Sequence, residues 1–370
     1  MKEKTNEDIS NTLKSLFWTF WGALSIIGFI IGVTNSSKSP INSIVYFIIL
    51  ICTCIFQIIL HEAGHLIFGL CSGYKFISFR IGNITLIREN RKLKIKKFNV
   101  VGTAGQCIMM PPEGNGYDCP YIIYNLGGVF MNTIVILLCI LFYKTFTTNF
   151  MVKNFCFLSI IIGIFFIIIN GIPIKILGND GYNFISMKKD KYERYSFYMM
   201  LKINSLLYKG IRLKDMPIEW FKLPNGANSN KLLSNTIRIL EGNYYMDKRD
   251  FHKAIEIYKS IINTTPNLNK VLKNEVICDI LFCEIINEAG EDVINKLYTK
   301  ELKDYIKATN CYMSRKRLMY AYYLLVKKDN TNANPILDEV NKVKKTYPVK
   351  AEIESELQII EFVKSKYSIL

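Results

Sequence analysis

His61-Glu62-Ala63-Gly64-His65 is the segment whose residue types and spacing could do chemistry. The chain has only 3 histidines in 370 residues, and two of them stand four apart here. On an α-helix, positions i and i+4 lie about 40° apart and one turn up, so both imidazoles can reach one metal ion. Glu62 then sits beside the ion, where it can act as a general base. Two histidines leave a tetrahedral zinc short of one protein ligand, with the fourth position open to water. A carboxylate at a similar depth should complete the set. The surroundings sharpen this reading, because the pentad ends an apolar run from Ile41 to about Leu70. Burying His, Glu and His in such a helix costs several kcal/mol unless a metal or polar partner compensates.

The elements that must position these groups follow from the apolar pattern. Half of the residues are hydrophobic, and they concentrate before residue 184 in four stretches: Leu16–Val33, Ile41–Leu70, Tyr121–Tyr143 and about Phe155–Ile169. Each is long enough, or nearly so, to cross a bilayer as a helix. The first follows a polar head and carries Trp18 and Trp21; without a clear A-x-A site it is read as a retained anchor, not a cleaved signal peptide. Residues 72–120 hold Lys75, Arg80, Arg88, Arg91, Lys92, Lys94, Lys96 and Lys97, against Lys38 alone in 34–40, so the basic loop is expected on the cytoplasmic side. Four spans then give a multi-pass protein of the cell membrane with both termini cytoplasmic. The net charge of +16 is explained by this topology, and no groove-reading motif accompanies it, so nucleic acid is not expected as a partner. The 10 cysteines are scattered, no disulfide framework or C-x-x-C pair appears, and Cys52 and Cys54 lie about 200° apart on a helix, so they cannot share a metal.

Parity selects the third ligand. The second and fourth spans run in the same direction, which brings Asp180, just beyond the fourth, to the side where His61 and His65 lie. Pro173 interrupts the helix before it, and broken backbone at membrane depth is tolerated where it lines a cavity. Two other readings stand beside this one: Asp180 as the N-cap of the next helix, and Glu193 as the third ligand.

Within the basic loop, alternation over Lys75–Arg80, Asn83–Arg88 and Lys92–Lys97 predicts short strands, with Val101–Gln106 as a further extended piece, giving a β-rich region over 74–106. Residues 184–370 are Lys-, Asn- and Tyr-rich with helical periodicity and breaks at Pro217, Pro224, Pro266, Pro335 and Pro348. Gly242, Tyr245, Ala254, Tyr258 and Pro266 fall on the small and aromatic positions of a tetratricopeptide repeat, which this segment resembles. That resemblance implies a binding surface for a cytosolic protein. The expected fold is therefore mainly α: 1–40 as cytosolic N-terminus and first span, 41–183 as a three-span core with the β-rich loop, and 184–370 as an all-helical, repeat-like cytosolic domain.

His-Glu-Ala-Gly-His in a spanning helix, a strand-rich loop, a small-residue third span, and Asn170-x-x-Pro173 followed by Asp180-Gly181 together resemble the site-2 protease (M50) family of intramembrane zinc metalloproteases. The resemblance covers roughly 41–183. It implies His61, His65 and Asp180 as zinc ligands, Glu62 as catalytic acid/base, and a membrane-tethered peptide or protein as substrate. Gly127-Gly-Val-Phe-Met-Asn132 resembles the family's Gly-x-x-x-Asn-type motif, which implies Asn132 as a substrate or intermediate contact, and Asn170 stands with it in that role. Two features depart from the family pattern. Gly178 and Asn179 separate Leu177 from Asp180, and there is no room for a PDZ insertion, so control of access falls to the helical tail. The competing functional class is a catalytically inactive membrane-anchored scaffold or peptide-export partner that binds through its tail.

Overall fold

The computed structural model describes residues 40–367, apart from 90, 91, 99, 101, 102, 146–148, 176 and 267. The expected first span, Leu16–Val33, lies outside the described residues. The rest is mainly helical with one small antiparallel sheet, and contacts divide it into two units, described in turn.

The first unit comprises the described residues up to Gly69 together with Ile122–Ile185. It contains nearly all of α1 (Pro40–Cys71), most of α2 (Tyr121–Asn125), α3 (Gly127–Thr145), α4 (Phe150–Gly171) and the start of α5 (Asp180–Lys189). Three of these are long and apolar enough to cross a membrane: Ile44–Cys71, Gly127–Thr145 and Phe150–Gly171. Their sequences explain why. On α1, Tyr46, Leu50, Thr53, Gln57 and His61 recur at helical spacing and are buried, while Ile44, Phe47, Ile48, Ile51, Ile55 and Ile59 are exposed. A helix apolar on its outward face as well as its inward one is suited to lipid. Tyr46 and Leu50 pack on Leu158 and Ile162 of α4, and Val135, Cys139 and Cys156 form a second apolar layer between α3 and α4. The span expected over Tyr121–Tyr143 is interrupted at Leu126, immediately before Gly127 makes a backbone-to-backbone approach to α1.

The second unit takes Leu70–Tyr121 and the described residues from Ser186 on. Strands β1 (Lys75–Ile81), β2 (Ile84–Glu89), β3 (Lys92–Lys97) and β4 (Gly105–Met110) form an antiparallel sheet in the order β3-β2-β1-β4. Gly82, at φ +55°, supplies the left-handed turn between β1 and β2. The first three strands lie where alternation places them. The fourth begins at Gly105, later than expected, because the side with Cys107 and Met109 is the one that buries, and those residues follow the Val101–Gln106 stretch.

Nine helices in this unit follow: α6 (Lys191–Tyr208), α7 (Leu232–Asp247), α8 (Phe251–Thr264), α9 (Lys270–Ile286), α10 (Glu291–Leu297), α11 (Lys300–Ala308), α12 (Met313–Ala321), α13 (Asn330–Thr346) and α14 (Lys350–Tyr367), among the described residues. In the α7–α8 pair, a Cβ on Gly242 would lie 2.3 Å from the Tyr258 ring, so glycine is what lets the aromatic ring seat against α7. Ala254 and Tyr258 are fully buried. Pro335 does not break the chain as expected; it sits six residues into α13, where its missing N–H removes a single bond near the helix start.

The sheet packs with the helical tail. Glu89 pairs with Lys94 (2.9 Å) and with Lys350, Lys96 Nζ donates to the Lys345 carbonyl (3.0 Å), and Phe98 meets Tyr347 edge-on at 4.7 Å. The β-rich loop thus clusters with 186–367 and not, as the 41–183 boundary had it, with the spanning helices.

Candidate metal centre

Three glycines decide how closely the site's helices approach. A Cβ on Gly64 would lie 2.2 Å from the Gly127 carbonyl oxygen, and one on Gly127 would lie 2.6 Å from the Gly64 oxygen, so α1 and α3 cross backbone to backbone. On the next residue, a Cβ at Gly128 would fall 2.4 Å from the His61 ring. The crossing leaves a slot one imidazole thick, and His61 occupies it.

The opposite wall comes from the chain after α4. Helix α4 ends at Gly171, with Pro173 two residues on, and the freed carbonyls would be orphaned at this depth. Asn179 takes them up: its Nδ2 donates to Ile169 O and Ile172 O, each at 2.6 Å. Its Oδ1 accepts from Ile174 N at 3.1 Å and from Tyr182 N at 3.0 Å, so the same side chain also caps α5. Gly178, at φ +59°, makes the turn that brings Asn179 into place. The two residues that stretch the motif are therefore what closes this loop. Gly181 packs so tightly on the end of α4 that a Cβ there would lie 2.1 Å from the Gly171 oxygen. Asn125 Nδ2 donates to the Asp180 carbonyl at 2.6 Å, which fixes the first residue of α5.

These constraints bring His61, His65 and Asp180 together. The separations are 3.3 Å between the two Nε2 atoms, 3.3 Å from His61 Nε2 to Asp180 Oδ2, and 3.4 Å from His65 Nε2 to the same oxygen. Among the described residues this is the one cluster of three or more His, Cys, Asp or Glu side chains arranged to hold a metal. Its shape is informative. Bonds of about 2.0–2.1 Å to a tetrahedral zinc give ligand-to-ligand edges of about 3.3–3.4 Å, which is the size of this triangle.

The tautomers agree with that shape. His61 Nδ1 lies 2.8 Å from Asn132 Oδ1, and His65 Nδ1 lies 2.9 Å from the Tyr124 carbonyl oxygen. Both partners are acceptors, so each Nδ1 carries the proton and each Nε2 presents a lone pair to the centre. Asp180 Oδ2 is buried without a directed hydrogen bond. Three acceptor atoms converging in a buried space repel one another unless a cation lies between them. The donor set and its spacing fit zinc.

Comparison with known proteins returns no match: no family model, no curated protein and no solved structure resembles the chain detectably.

The other expected residues divide. Glu62 is half-buried on α1 next to His61. Asn132, expected at the substrate, is fully buried and turned to the back of His61, where it is a partner of the ligand. Asn170 donates to Phe166 O one turn back in its own helix (3.0 Å); its backbone, not its side chain, is what Gly181 packs against. Glu193 is fully buried and accepts from Ser186 Oγ at 3.0 Å, Ser234 N at 3.1 Å and Ser234 Oγ at 2.7 Å, which makes it a structural carboxylate of the second unit. The N-cap reading of Asp180 passes to Asn179. Sequence reasoning missed Gln57, Asn125 and Asn179; a glutamine one turn before His61 on an otherwise apolar face was the available signal for the first.

Proposed function

We propose that this protein is an intramembrane zinc metalloendopeptidase of the kind its motifs resemble, the site-2 protease family, hydrolysing peptide bonds in membrane-spanning or membrane-proximal segments. The observation that carries the reading is the triangle of His61 Nε2, His65 Nε2 and Asp180 Oδ2, built from a helix long and apolar enough to span a bilayer and from the turn after another. His61, His65 and Asp180 would hold the metal. Bound zinc supplies Lewis acidity and lowers the pKa of a ligated water toward about 7.

Glu62 would serve as the proton acceptor for an attacking water and then as the proton donor to the leaving amine. Its neighbours favour this role: it follows His61 directly, so the helix that delivers the ligand also delivers the base. Asn132 and the Tyr124 carbonyl keep both imidazoles in the ligating tautomer. The scissile bond must leave its intrahelical hydrogen bonds to be attacked, so cleavage is expected where Gly, Pro or Asn loosens a substrate helix. The excess of Lys and Arg in the sheet region and the tail favours a cytoplasmic side for both and for the two termini, and the resemblance of Gly242 to Pro266 to a tetratricopeptide repeat supports a surface there for a cytosolic protein partner.

The test is cleavage of membrane-tethered peptides by the chain purified in detergent. Wild type is expected to cleave, to stop after chelation and to recover with added zinc; Glu62→Gln is expected to be slower by about 10²–10⁴-fold. Undiminished cleavage by Glu62→Gln would refute the assignment.

A further inference from the structure

Behind His61 runs a line of buried amides that ends on backbone. Gln57 Nε2 donates to the Ser159 carbonyl oxygen at 2.9 Å, Asn132 Nδ2 donates to Gln57 Oε1 at 2.7 Å, and Asn132 Oδ1 faces His61 Nδ1 at 2.8 Å. Gln57, Asn132 and Ser159 are all fully buried. A Cβ at Gly163 would stand 2.8 Å from the Ile136 side chain and 3.3 Å from Gln57 Nε2, so glycine leaves space for both.

Each link has a fixed polarity. A carbonyl oxygen only accepts, so the Ser159 end can be met only by the NH2 of Gln57. That leaves Gln57 Oε1 to accept, which commits Asn132 to present its NH2 there and its oxygen to His61. The Gln57 carbonyl, 3.4 Å from Asn132 Nδ2, biases Asn132 the same way. His61 must then carry its proton on Nδ1 and its lone pair on Nε2. Without Gln57, Asn132 could turn over and offer its NH2 to Nδ1, driving the proton to Nε2, where the ring cannot ligate. A glutamine inside an apolar span is costly unless it is matched and used.

We infer that Gln57 is a positioning residue of the metal centre, acting through Asn132 to hold His61 in the tautomer that binds the metal. This deepens the proposed function and rests on it.

The experiment is zinc affinity by chelator competition on the full chain in detergent, with cobalt substitution to read the geometry by its d–d bands. Wild type is measured beside Gln57→Leu and Gln57→Glu. Leucine has similar bulk and no polar end, and the expected loss of zinc affinity is about 10–100-fold, the usual effect of removing an outer-shell partner. A protonated glutamate reproduces the glutamine's pattern, its OH donating to Ser159 O and its C=O accepting from Asn132. Gln57→Glu should therefore bind zinc close to wild type, because its carboxyl oxygen accepts from Asn132 whether or not it is ionised. Thermal unfolding in excess chelator separates folding from ligation. A folded Gln57→Leu with wild-type zinc affinity would overturn the inference while leaving the metalloprotease reading intact. Equal losses in Gln57→Leu and Gln57→Glu at every pH would also overturn it, because bulk and not polarity would then be what matters. Wild type that binds neither zinc nor cobalt would remove both.

Discussion

The slot that Gly128 leaves for the His61 ring is one hydrogen atom deep. Gly128→Ala would put a methyl group 2.4 Å from that ring, so His61 must shift or the α1–α3 crossing must open. Overpacking of this sort costs about 1–3 kcal/mol, and here it is applied at a ligand. The variant should lose both thermal stability and zinc, whereas Gly114→Ala, whose Cβ would meet nothing within 4 Å, should keep both; calorimetry and metal analysis of the two proteins check this. At this scale much of the site was legible. His61, Glu62 and His65 declare themselves because the helical repeat makes their spacing a geometric condition, and Asp180 followed from span parity. The part played by Asn132 was not legible, since it depends on how α3 is rotated against α1, and that rotation is set by where Gly64 and Gly127 allow contact.

Among elements, the loop between α4 and α5 carries the most consequence. Asn179 alone makes four hydrogen bonds in it, and without them the carbonyls of Ile169 and Ile172 lose their partner. Leaving such groups unsatisfied costs about 1–3 kcal/mol each. Asn179→Ala should therefore release Asp180 and weaken zinc binding by at least about 10-fold, while Asn170→Ala should change affinity much less; chelator competition on both variants decides it. The sequence showed two extra residues there as a departure, and only the backbone path shows them closing the loop.

In the tail, α9, α12 and α14 share a buried charge cluster: Arg317 pairs with Asp279 at 2.5 Å and with Glu356 at 3.0 Å, Arg315 pairs with Glu275, and Glu352 accepts from Tyr347 at 2.8 Å. Burial pushes the Glu356 carboxyl up to about 7 in spite of Arg317, and it raises Asp279 and Glu352 as well. A carboxyl whose folded value lies above its ordinary 4.5 favours the fold fully below that value, and the contribution is lost as pH rises through about 7. Amide protection in α12 and α14 of the full chain, corrected for intrinsic exchange, should fall between about pH 5 and pH 8, and Glu356→Gln should flatten that dependence.

For the molecule as a whole, the division into an apolar part and a wet, helical part was readable because lipid and water select opposite outward faces. The boundary was not. The β-rich loop was assigned to the spanning core by position in the chain, but Glu89, Lys96 and Phe98 tie it to Lys350, Lys345 and Tyr347, contacts more than 200 residues away in sequence that no local pattern announces. This arrangement joins the basic hairpin to the end of α13 and the start of α14. The central claim remains chemical: two histidines and an aspartate hold zinc so that Glu62 can act. It is tested most directly by the zinc content of the purified wild type, Glu62→Gln, Asp180→Ala and Glu193→Ala proteins after dialysis against a zinc buffer. The account predicts close to one zinc per chain in wild type and Glu62→Gln, little in Asp180→Ala, and full occupancy with reduced stability in Glu193→Ala. Folded wild type without zinc, or Asp180→Ala that retains it, would contradict the account.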